Sequence, residues 1–204
     1  MRIIPLVMLA LAALAGCSND APSGEAPETG SAVSQNSAPA KTAPAAPDPA
    51  MAAKESPALA VDAEGLRLFN KQSGSARPVA FGMKRADVLA MLAFRGPPGT
   101  GRNEECGAGP LDYANWPDGL GLYFQGDTFV GWNLDERASG AITTASGIGP
   151  GSGRVDLNGA YAAQVSETTL GTEFAAGELF GLLDGKGKSA KITNMWGGVS
   201  CNFR

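Results

Sequence analysis

The sequence predicts an α+β fold: two related helix-plus-antiparallel-sheet repeats forming one domain, preceded by a disordered tether. Three observations predict it. A Gly-x-x-Arg-x-Asp helix start occurs twice. Each copy is followed by a hairpin that ends in Trp. The segment ahead of both is rich in Pro, Ala and Ser and contains no aromatic residue.

The chain opens with Met1 and Arg2, then residues 3–15 without charge. A charged start and a short apolar run make an export signal, too short to stay as a spanning helix. The run ends in Leu14-Ala15-Gly16-Cys17, a bacterial lipobox. Residues 1–16 are therefore expected to be removed and Cys17 to be lipidated. Its acyl chains would hold the protein at a membrane. Ser18 follows, not Asp, which by the sorting rule of enteric bacteria implies the outer membrane, facing the periplasm.

Residues 17–58 are read as the lipidated Cys and its tether. Seven of the fourteen prolines fall between 18 and 58, so this stretch lacks the apolar surface to offset its chain entropy. Drawn out in polyproline geometry it would reach about 120 Å. Every aromatic residue lies at Phe69 or beyond, so the folded part is placed at 59–204. The first repeat is assigned to 59–140 and the second to 141–204.

In the first repeat, Gly82-Met83-Lys84-Arg85-Ala86-Asp87 opens a helix with Val88 and Leu92 on its buried stripe. Gly96-Pro97-Pro98 stops it, because proline cannot continue the ladder. In the second, Gly151-Ser152-Gly153-Arg154-Val155-Asp156 repeats the start, with Ser152 as N-cap and Leu157 and Tyr161 buried. The hairpins are 120–124 with 128–132, turning at Gln125-Gly126-Asp127, and 178–183 with 191–196. They end in Trp132 and Trp196. Strands at 66–69, at 78–81 and around 201–203 are expected to complete the sheet.

Gly82-Met83 opening a helix, Asp87-Val88 within it, Gly96-Pro97 closing it, then a Tyr/Trp strand and hairpin resembles the BamE/SmpA type of small outer-membrane lipoprotein domain. Two such units resemble the architecture of beta-lactamase inhibitory protein, with tandem repeats in one concave sheet. Residues 144–149 and Val199-Ser200-Cys201 also resemble uncharacterised lipoproteins of alphaproteobacteria. The resemblance covers about residues 64 to 204. Lys84 stands where the family has Ser or Thr, and Gly159 interrupts the second helix. What the resemblance implies is a scaffold, assembly accessory or inhibitor, not an enzyme.

The composition narrows the chemistry. With 16 basic and 20 acidic residues there is no basic footprint for nucleic acid. With no His, Ser-His-Asp triads, Cys-His pairs and His-based metal sites are excluded together. Gly185-Lys186-Gly187-Lys188-Ser189 lacks the first Gly of a phosphate loop, since position 182 is Leu182, and reads as an exposed basic turn. Gly147-Ile148-Gly149-Pro150-Gly151-Ser152-Gly153 has no βαβ setting and reads as a connecting loop. Glu104 and Glu105 are adjacent, which disfavours a shared proton or metal on a strand. No catalytic residue, metal ligand or cofactor is expected.

Once Cys17 is lipidated, Cys106 and Cys201 remain. An oxidising compartment predicts a disulfide between them, closing a loop of about 95 residues. The alternative is a reactive thiol. Tyr113, Trp116 and Trp132 would anchor a protein partner if exposed, although aromatics at such spacing more often form core. The leading expectation is a non-catalytic envelope lipoprotein that binds another protein. A lipid- or cell-wall-binding module, using Lys186, Lys188 and Lys191, and a carboxylate-based enzyme are the alternatives.

Overall fold

Along Leu179–Leu183 buried and half-buried residues alternate, the period-two pattern of a strand with one face on a core. That pattern governs most of the chain. The computed structural model describes residues 56–201, within the second of two units, Ala50–Arg204. In chain order the elements are β1 (Ala58–Asp62), β2 (Gly65–Phe69), β3 (Ala76–Ala80), α1 (Arg85–Met91), β4 (Gly99–Asn103), β5 (Leu111–Asn115), β6 (Leu120–Gln125) and β7 (Thr128–Leu134). After them come α2 (Arg154–Ala160), β8 (Gln164–Thr168), β9 (Gly171–Ala176), β10 (Leu179–Leu183) and β11 (Ile192–Gly198). The signal peptide, Cys17 and all but the end of the tether lie outside the described residues.

Strands β1-β2-β3 make a three-stranded sheet. The other eight form one antiparallel sheet in the order β4-β5-β6-β7-β11-β10-β9-β8. Its central seam is β7 against β11, with Asn133 opposite Trp196 and Trp132 opposite Gly197.

Both helices are brief. Asp87 sits in the first turn of α1, where a carboxylate complements the free N–H groups. Gly96 at φ 80°, then Pro97 and Pro98, forbid further turns. In α2 the Gly153 N–H donates to the Asp156 carboxylate at 3.3 Å. Gly153 is thus the N-cap, not Ser152, whose hydroxyl instead accepts from the Gly149 N–H at 3.1 Å. Val88, Leu92 and Leu157 are fully buried, while Tyr161 is only half-buried. They pack with Leu120, Leu122, Trp132, Leu134, Phe174 and Met195 of the large sheet and Val61, Leu66 and Val79 of the small one. Burying each such side chain contributes roughly 1.5–3 kcal/mol.

The expected fold class is corrected. Strand makes up 45% and helix 14% of the described region, with only two helices, so two helix-plus-sheet repeats do not describe it. The strands expected near 66–69 and 78–81 do form, but with β1 they build a separate sheet on the core side of the large one. Cys201 belongs to no strand, and 202–204 lie outside the described residues. The stretch around Tyr113 is β5. β1 begins at Ala58, inside the segment assigned to the tether.

Candidate functional site

Two of the three expected partner anchors are core residues. Trp116 is 3% exposed and Trp132 is 0% exposed. Their indole N–H groups donate to Gly96 O at 3.0 Å and Asp62 O at 2.8 Å. A buried indole with its donor satisfied is a structural fixture, which removes both as surface anchors. Tyr113 is half-buried on β5, with its hydroxyl lying over Gly101 of β4. The lipidation site Cys17 lies outside the described residues. Cys106 and Cys201 are brought together as two thiols that interact.

Tyr113 belongs to a different set of residues from the one expected. Directly opposed residues share a sheet face. Asn115 opposes Gly121, Gly121 opposes Asn133, Asn133 opposes Trp196, and Trp196 opposes Phe180. This row runs across five strands. Beside it, Tyr113 opposes Tyr123, and Leu182 opposes Asn194. These side chains point away from Trp132, Leu134 and Met195, which alternate with them along the same strands. Phe180 and Trp196 stack with ring centroids 6.4 Å apart.

A hollow of about 140 Å³ opens in this face, lined by Tyr123, Asn133, Leu182, Asn194 and Trp196 together with Leu134 and Met195. Gly121 makes room for its amide wall, because a Cβ there would lie 2.1 Å from Asn133 Oδ1. That Oδ1 is buried and has no hydrogen-bond partner. An unmet buried acceptor costs roughly 1–3 kcal/mol, which the packing around Asn133 must offset. Burial, with smaller contributions from Cys201 and Cys106, pushes the Tyr123 hydroxyl up to about 12. Tyr123 therefore stays a neutral donor and acceptor. The lining carries no charge; its chemistry suits holding a side chain rather than moving a proton.

Several polar groups outside the hollow form ion pairs. Arg85 reaches Asp112 at 3.4 Å and lies over the Phe124 ring, while Arg95 pairs with Asp118 and lies over Trp116. Glu104 pairs with Arg102. Lys186 reaches Glu167 at 3.1 Å, so the basic turn is partly neutralised, and hydrogen bonds from Thr172 and Lys186 hold the Glu167 carboxyl below its ordinary range. An open depression of about 450 Å³ lies between β3 and α1, at Arg77, Met83, Asp87, Ala90 and Met91. Among the described residues no cluster of three or more Cys, Asp or Glu is set to hold a metal, and no helix is long and apolar enough to cross a membrane.

Sequence reasoning missed Asn133, Asn194, Tyr123 and Leu182. The signal was parity: in each legible hairpin strand, these residues alternate with the core positions. Which strands bring them together was not legible, because β7 and β11 meet only in the folded chain. No family model, curated protein or solved structure matches this chain.

Proposed function

We propose that this chain is a cell-envelope lipoprotein, anchored to the outer membrane through Cys17, that binds another envelope protein without catalysing a reaction. The binding site is the hollow between Tyr123, Asn133, Leu182, Asn194 and Trp196. The observation that carries this is a hollow only large enough for one side chain, lined by the amide-bearing Asn133 and Asn194 beside the apolar Leu182 and Trp196. Such a site favours a partner side chain that fills the apolar floor and donates one hydrogen bond, flanked by the half-buried rings of Tyr113 and Phe180. The cross-strand row from Asn115 to Phe180 contains no Lys or Arg, which disfavours an anionic lipid headgroup as occupant. The lipobox supports the envelope address and the tether supports reach from the membrane.

The test is a pair of substitutions assayed in intact cells. Leu182→Arg places a charge in the hollow, and Asn133→Ala removes one of its lining amides. Both are expected to reduce crosslinking to one envelope protein by at least about tenfold, the effect of about 1.4 kcal/mol. Val155→Arg, on the exposed side of α2, should leave it unchanged. Equal crosslinking in all three would remove the hollow as the binding site.

A further inference from the structure

After β11 the chain does not leave the sheet. Gly198, at φ 68°, turns it, and the Val199 N–H donates to Val130 O at 2.9 Å. Val199 then lies directly on Gly131 of β7: a Cβ at 131 would be 1.8 Å from Val199 O. The chain continues to Cys201, whose sulfur accepts from Asn103 Nδ2 at 3.2 Å. Asn103 ends β4, the far edge strand of that half of the sheet. Cys106, just beyond it, is buried and within hydrogen-bonding reach of the Cys201 thiol. Residues 198–201 thus form a strap running from the central strand β11 towards the β4–β5 loop. Tyr123 feels both sulfurs and also walls the hollow.

We propose that Cys106 and Cys201 are a disulfide-forming pair whose oxidation fastens this strap across the face of the sheet. The oxidant is a dithiol oxidoreductase carrying its own disulfide. The more accessible Cys201, as thiolate, attacks one sulfur of that disulfide and displaces the other as a thiolate. Cys106, deprotonated, then attacks the Cys201 sulfur and releases the second oxidoreductase thiolate. Two protons pass from the cysteines to the two released thiolates, and two electrons leave this chain. Burial and the Cys106 contact push the Cys201 thiol up to about 11, so exchange should accelerate as pH rises.

The experiment uses the full chain exported by a bacterial host, alkylated with and without reductant and mapped by mass spectrometry. The expected result is a peptide pair joined through Cys106 and Cys201 in most molecules, two hydrogen atoms lighter than the reduced pair. Amide exchange at Val199 should slow on oxidation. Reductant should lower the melting temperature of the wild type and leave the Cys106→Ser/Cys201→Ser double variant unaffected. If both thiols are alkylated without reductant in the folded protein, or Cys201 is joined to another molecule, the proposal is overturned. Should the double variant fail to fold, the wild-type map still decides.

Discussion

The Trp132 indole N–H donates to the main-chain oxygen of Asp62 at 2.8 Å, joining β7 of the large sheet to the end of β1 in the small one. The ring lies against Gly197, where a Cβ would sit 2.9 Å from its Nε1. Trp132→Phe keeps an aromatic ring but leaves a void and a carbonyl without its donor. The expected loss is about 2–4 kcal/mol in urea unfolding. A loss below about 0.5 kcal/mol would show that this link does not hold the sheets together.

The two apolar residues of α2 should behave oppositely. Leu157 is 0% exposed and Val155 is 63% exposed. Leu157→Ala is expected to cost about 2–5 kcal/mol. Val155→Ala should stay within about 0.5 kcal/mol of wild type. Equal effects would mean that α2 packs by another face.

Gly131 is required by close approach rather than by its dihedral angles. Gly131→Ala sets a methyl against the main chain of Val199, and neither backbone can yield by rotating a side chain. The strap must lift, at a cost of about 1–3 kcal/mol. Under reducing conditions alkylation of Cys201 should become faster. Unchanged stability and unchanged alkylation would place the strap elsewhere in solution.

Tyr123 predicts an alkaline limit to stability. Its hydroxyl is raised from 10.0 to about 12, chiefly by burial. Above pH 10 the unfolded chain loses this proton while the folded chain keeps it. Stability is therefore intact below 10 and falls as pH rises towards 12. At about 1.4 kcal/mol per unit the loss approaches about 3 kcal/mol. Tyr123→Phe should remove that part of the loss, measured by urea unfolding across this range. In the wild type, Tyr123 should ionise late in an ultraviolet titration, and Tyr123→Phe should remove that late step.

The hairpins β6–β7 and β10–β11 were legible because apolar alternation and Gly-containing turns reinforce each other there. The helix starts were legible from Gly, Arg and Asp spacing. β4 was not, since Gly99-Thr100-Gly101-Arg102-Asn103 has little strand propensity and is held by pairing with β5. The fold class failed for a related reason: strand pairing, which sequence periodicity does not report, recruited weak segments into a wide sheet. Of the candidate site, Tyr113 is legible as a sheet aromatic, while Trp116 and Trp132 take the core alternative, a choice between anchor and core that only tertiary packing makes. The Cys106–Cys201 pairing was inferred from compartment and number, whereas the strap beneath it depends on Gly131 and is visible only in three dimensions.

The most direct test of the proposed function is a photo-crosslinking residue at position 182, at the hollow, activated in intact cells alongside one at position 155. The account predicts one dominant envelope-protein adduct from position 182, lost when Asn133→Ala is added, and none above background from position 155. An adduct only from position 155, or only lipid at position 182, would contradict it.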